Sequence, residues 1–234
     1  MELRYRLLRW FDVAAVICLA VLPDLWRSIF AVTRGVTGAG YTFGYMHGGL
    51  LTRSVQVAVP ILLIMLLRKV SWQRYGFRAI RPGCDVIAAA GLVLASYASF
   101  ILAYGIVIQF GPIEESGGAR VQTMIGNMSP TTWVAMLVMI GSGLANGFAE
   151  ELALRSYLIS RLVELMGSKL LAVVFTSVLF GAYHIYQGML GAVGAFAIGI
   201  VLGTYFVRKR RFWPVAAAHA AMDIIPQLVY RSSH

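Results

Sequence analysis

The chain has 234 residues, of which 59% are hydrophobic and only 13% charged, with a formal net charge of +10. Its apolar residues fall in long blocks, which excludes an ordinary soluble domain and marks an all-α, polytopic membrane helix bundle. The positive charge does not point to nucleic acid, because the basic residues cluster at the ends of apolar blocks and build no basic face with interleaved aromatics. They read instead as topology signals.

A bilayer crossing takes about 20 apolar residues, and seven segments qualify: roughly 8–30, 49–67, 85–110, 131–149 with a helical extension, 170–187, 190–207 and 212–230. About seven transmembrane helices, within a range of six to eight, are therefore predicted in a single domain over 1–234. The first segment starts like a signal peptide, but no small-residue cleavage site follows, so it is read as a retained helix. Asp12, Pro23, Asp24 and Arg27 interrupt it, which leaves an interfacial helix as the alternative. Basic residues at Arg4, Arg6 and Arg9, over 68–81, over 155–169 and in "RKRR" at 208–211 alternate correctly for cytoplasmic loops and an inside N-terminus. Cys18 and Cys84 match no metal or redox spacing, so no disulfide framework is predicted. Gly143/Gly147 and Gly199/Gly203 are small-xxx-small steps, read as packing within the bundle. His47, in the Gly-rich loop "YTFGYMHGG", and the terminal His234 are assigned no role. Glu114 and Glu115 in "GPIEESGG" read as a solvated outer loop, with a rim for incoming substrate as the alternative.

The stretch "NGFAEELALRSYL" stands out because it sets Glu150, Glu151 and Arg155 in the most apolar part of the chain. An ionisable group inside a span costs at least a few kcal/mol near the bilayer centre, so such groups are functional candidates. Glu151 and Arg155 are four apart with the acid first, the favourable order for a pair on one helical face. Glu150 lies about 100° round the helix and must find its partner on another element. The later segments carry His184, four residues after Phe180 in "FGAYHIYQG", and His219 with Asp223, four apart in "WPVAAAHAAMDII". Counting about 1.5 Å per residue from the basic boundaries puts Glu150 about 16 Å deep, His184 about 22 Å and His219 about 12 Å. Those depths suit one shared cavity.

Carboxylates and imidazoles gathered in an apolar cavity can take a proton from water and donate hydrogen bonds to a developing oxyanion. That is equipment for hydrolysing an amide. Ser142, Ser156 and Ser177 have no evident base on their own face, so attack by water is favoured over an acyl-enzyme.

Glu-Glu-x-x-x-Arg at 150–155, Phe-x-x-x-His at 180–184 and His-x-x-x-Asp at 219–223, with "WP" before the last histidine, resemble the three motifs of the CAAX protease and bacteriocin-processing family. This family, also called CPBP or Abi, includes the type II CAAX prenyl endopeptidases. The resemblance covers the C-terminal part of the chain, a core of about 131–230. It implies that Glu150 activates a water, that Glu151 assists or structures the site, that His184 positions water or substrate, and that His219 and residue 223 stabilise the oxyanion, with Arg155 and Phe180 in support. The chain departs from the prenyl endopeptidases at Asp223, where they have Asn. Asp223 is then either protonated or orients His219, or else the oxyanion falls to the histidines. No cofactor is expected; Glu, His and His could ligate a divalent metal such as zinc, but without a His-Glu-x-x-His or a close His pair a metal-free glutamate mechanism comes first.

The leading expectation is an intramembrane glutamic endopeptidase that cleaves a membrane-embedded or lipid-anchored peptide, prenylated or not, in the bilayer. A non-proteolytic family member, acting in bacteriocin immunity or regulation by binding a peptide or partner, is the alternative. A proton-coupled transporter is weaker, since the polar residues crowd into the C-terminal half and no internal repeat is visible. The 17 Arg against 3 Lys hint at a GC-rich bacterial genome and hence at an inner membrane.

Overall fold

The computed structural model describes residues 2–34, 42–111 and 117–233, with side chains from Arg6 onward. Glu114, Glu115 and His234 lie outside the described residues. All regular structure among the described residues is helical: α1 Glu2–Ala20, α2 Leu22–Thr33, α3 Phe43–Leu67, α4 Pro82–Val107, α5 Gly118–Met128, α6 Trp133–Glu151, α7 Ser160–Met166, α8 Lys169–Ala182, α9 Gly188–Lys209 and α10 Phe212–Ser233. Five helical stretches are long and apolar enough to cross a membrane: Arg6–Thr33, Phe43–Leu67, Pro82–Val107, Trp133–Met166 and Ile185–Lys209. α8 is apolar but only 14 residues long. α10 has the length at 22 residues, but His219, Asp223 and Gln227 dilute its apolar character. The protein is a multi-pass helical membrane bundle.

Capping residues set several helix starts. Thr42 Oγ1 accepts from the Tyr45 amide, Thr132 Oγ1 from Ala135 and Ser168 Oγ from Leu171, each satisfying an amide that has no intrahelical partner. The Thr42 cap starts α3 at Phe43, six residues before the predicted boundary, and places His47 inside a helix instead of a loop.

The first span is not broken by its acids, because each finds a cation. Asp12 accepts from Arg68 at 2.8 Å and Asp24 from Arg53 at 2.8 Å. The Asp12 carboxylate holds Arg68, just beyond α3, above its ordinary range. The predicted cytoplasmic segments meet at one end of the bundle, where Arg9, Arg74 and Arg161 all approach Glu164, at 3.8, 2.9 and 3.2 Å. Arg155 is no part of that end. The chain stays helical to Met166 by way of a π-helical segment, Leu152–Ile159, which keeps Arg155 in the core at 1% exposure.

The predicted span 170–187 is cut short: α8 stops at Ala182, and a short 3-10 turn, Ile185–Gln187, leads to Gly188 at φ +85°. The apolar composition runs past this point, so hydropathy alone could not mark the stop. The glycine steps work inside the bundle as expected. A Cβ on Gly199 would lie 2.9 Å from Ser177 Cβ, and one on Gly203 3.1 Å from Val173 Cγ1, both in α8. Cys18 and Cys84 are exposed free thiols.

Candidate active site

The site forms where α6 and α10 run antiparallel at close range. Gly147 permits the approach, since a Cβ there would stand 2.7 Å from the backbone nitrogen of Ala220 and 3.0 Å from the carbonyl of Ala216. Facing residues then pair in reverse order along the two helices. Glu150 Oε2 lies 3.5 Å from His219 Nε2, and one turn further Asn146 Nδ2 donates to Asp223 Oδ2 at 2.9 Å.

Glu151 points away from this seam into the core. It is fully buried, and its Oε1 accepts from Arg155 Nη1 at 2.7 Å and from His219 Nδ1 at 2.7 Å. The predicted Glu151–Arg155 pair is therefore present, in the interior and not at an interface. His219 gives the buried pair a second donor, while Glu151 Oε2 and Arg155 Nη2 are buried without a hydrogen-bond partner among the described residues. Here the Arg155 guanidinium also lies over the Phe180 ring, with its carbon 4.7 Å from the centroid. Arg155 thus links the first motif to the second and Glu151 links it to the third.

His184 follows the end of α8 and returns its Nδ1 to the carbonyl of Phe180 at 2.8 Å. Its ring lies 4.6 Å from that of Phe180, which in turn lies 5.7 Å from His219, so Phe180 is the packing element between the two imidazoles. The neighbouring Tyr183 donates its hydroxyl to Glu150 Oε2 at 3.1 Å. Ser28 of α2 donates to the Tyr183 carbonyl.

Glu150, His184, His219 and Asp223 line a cavity of about 510 Å³ whose remaining walls are largely apolar, among them Met46, Leu50, Met124, Met128 and Met222. A cavity of that size falls in the range of ligand-binding pockets. All five sites assigned from sequence, the four cavity-lining residues and Glu151, meet in one place. Among the described residues, no group of three or more His, Cys, Asp or Glu is arranged to hold a metal ion.

Glu151 occupies Nδ1 of His219, and Asp223 stands 3.8 Å from Nε2. One expectation needs correction. His47 is not incidental. It is buried in α3, its Nε2 donating to the Met128 carbonyl at 2.9 Å, and its Nδ1 lies 2.6 Å from Ser142 Oγ. Ser142 thus has an imidazole beside it after all, supplied by another helix, although it lies two turns along α6 from Glu150. Among the described residues, Ser156 and Ser177 donate to the carbonyls of Tyr75 and Val173. Sequence reasoning also passed over Asn146 and Tyr183. Asn146 was within reach of the helical period, four residues before Glu150; Tyr183 had only its place beside His184 to recommend it.

Residues 131–225 match the family model described as type II CAAX prenyl endopeptidase Rce1-like. No curated protein and no solved structure gives a significant match. At the level of the family, the match supports a membrane-bound hydrolase of the CAAX-protease type. Residues 131–225, which hold every residue assigned to the site, are therefore similar to the type II CAAX prenyl endopeptidase Rce1-like family.

Proposed function

We propose that the protein is an intramembrane endopeptidase in which Glu150 activates the hydrolytic water. The observation that carries this reading is the position of Glu150, whose carboxylate faces a largely apolar cavity and lies beside His219 Nε2. A water bonded to Glu150 gives up a proton to it while its oxygen attacks the scissile carbonyl carbon. Glu150 then returns that proton to the leaving nitrogen as the C–N bond breaks, releasing an amine and a carboxylic acid, whose proton passes to the amine or to solvent.

The two imidazoles take different parts. His184, with Nδ1–H committed to the Phe180 carbonyl, presents an acceptor at Nε2 and suits holding the second hydrogen of the water. His219 commits Nδ1–H to Glu151, and a proton on its Nε2 makes it the donor to the oxyanion. Glu151 and Arg155 hold His219 in place without touching substrate. The mechanism uses no metal.

The apolar walls and their methionines suit a peptide carrying a long flexible apolar group, and the family's prenylated substrates have that chemistry. A membrane-anchored bacterial peptide without a prenyl group fits the same walls, in keeping with an inner-membrane location. The test is cleavage of prenylated and unprenylated membrane-anchored peptides by purified protein in liposomes, wild type against Glu150→Gln, with and without chelator. Cleavage that disappears in the variant and is indifferent to chelator is expected. Equal cleavage by both proteins, or none by wild type, would sink the reading in favour of peptide binding without hydrolysis.

A further inference from the structure

Glu150 borders two spaces. One is the large cavity; the other is a small pocket of about 10 Å³, lined by Asp24, Arg53, Ser54, Asn146, Glu150 and Tyr183 together with five apolar residues. A space of that size holds about one water, provided that two to four polar groups surround it. Arg53 contributes the most telling of these groups. It is only 8% exposed, its Nε donates to Asp24 at 2.8 Å, and its Nη2 is buried with no hydrogen-bond partner among the described residues. An unpaired guanidinium nitrogen in a bundle core costs several times what a satisfied one does, so a site that retains it calls for a ligand.

We infer that this pocket is a water site that serves Glu150 from outside the substrate cavity, with Arg53 as its positioning residue. The inference rests on the hydrolytic reading of Glu150. An apolar peptide filling the large cavity displaces its solvent, yet each turnover consumes one water at Glu150. A second compartment, which sets a few charged and polar groups in an otherwise apolar lining and shares the Glu150 and Asn146 walls, supplies that molecule and holds the carboxylate in register. Its Arg53 side comes from α1 to α3, through Ala20, Asp24, Arg53, Ser54 and Val57, outside the region that matches the family. That gives the N-terminal helices a task at the site, and the Ser28 bond to Tyr183 ties α2 to the same wall.

Two measurements decide it. A structure of the wild-type protein in lipid nanodiscs, at a resolution that reveals ordered solvent, should contain a water bonded to Arg53 Nη2 and to Glu150 or Asn146; a dry or collapsed pocket overturns the inference whatever the enzyme cleaves. In the cleavage assay, Arg53→Met should lower kcat by as much as about 10²-fold with KM unchanged. Arg53→Lys should recover part of the loss, and Ser54→Val, which fills the pocket without touching the ion pair, should reproduce it. Wild-type kcat in Arg53→Met and Ser54→Val, with Glu150→Gln inactive, overturns the water site and leaves the glutamate mechanism standing. Inactivity of wild type itself counts against the mechanism alone, and the solvent density then judges the pocket.

Discussion

His219 donates from Nδ1 to Glu151 Oε1 across 2.7 Å, whereas Asp223, one turn along its own helix, stands 3.8 Å from its other nitrogen. The adjacent acids of the first motif therefore divide their work by direction. Glu150 faces the cavity and Glu151 faces the core, where it joins His219 to Arg155.

This division separates two variants by their stability. Glu151→Ala leaves the Arg155 charge, at 1% exposure, without its carboxylate. Breaking a buried pair from one side costs about 3–5 kcal/mol, so thermal unfolding in detergent should come at a clearly lower temperature and activity should be lost. Glu150→Gln should unfold close to wild type while being inactive. A Glu151→Ala protein as stable as Glu150→Gln would contradict the buried pair.

Asp223 accepts from Asn146 and lies 3.8 Å from His219 Nε2. Asparagine at this position keeps an acceptor for Asn146 and adds a donor. Asp223→Asn should therefore retain cleavage to within about tenfold, while Asp223→Leu, which offers neither, should lose about 10²-fold in kcat. An inactive Asp223→Asn enzyme would assign the carboxylate an acid–base part of its own.

Tyr183→Phe removes one hydroxyl from Glu150 Oε2 and leaves the ring packing between Phe180 and His184 intact. One neutral hydrogen bond is worth about 1 kcal/mol, so a loss of up to about tenfold in kcat with KM unchanged is expected. A raised KM at constant kcat would place the phenol against substrate instead.

Much of this was legible from helical periodicity. Residues four apart share a face, which was enough to pair Glu151 with Arg155 and to align His219 with Asp223. The same rule reaches Asn146, four residues before Glu150. What periodicity does not carry is where one helix stops and which other helix it meets. Tyr183 reaches Glu150 at the point where α8 ends at Ala182, inside a segment whose apolar composition continues. The contact between His47 and Ser142 spans 95 residues and depends on α3 starting at Phe43. The Asp24–Arg53 pair likewise turns two apparent flaws in membrane segments into one satisfied contact between helices.

Ser142→Ala tests the remaining nucleophile. The serine has an imidazole at 2.6 Å, but that ring's other nitrogen is bonded to the Met128 carbonyl, and the hydroxyl also reaches the Met139 carbonyl at 2.9 Å. The group ties α3, α6 and the end of α5 together. Ser142→Ala should keep cleavage to within a few fold, and an active-site serine probe should label neither protein. Covalent labelling of wild type that vanishes in the alanine variant would overturn the glutamate mechanism.

The seam between α6 and α10 makes the last prediction, because the distance from Glu150 to His219 depends on a missing side chain. A methyl group on Gly147 would lie 2.7 Å from the Ala220 backbone nitrogen, where no rotamer change relieves it. Gly147→Ala must part the helices, at a cost of about 1–3 kcal/mol in stability, and it widens the gap across which Glu150 and His219 act on one water. Gly141 lies on the same helix with nothing within 4 Å of a Cβ, so Gly141→Ala controls for any gain in helix propensity. Cleavage should fall steeply in Gly147→Ala and stay at wild-type level in Gly141→Ala. Equal activity in both would mean that the two helices can separate without disturbing the chemistry, contrary to a site shared between Glu150 and His219.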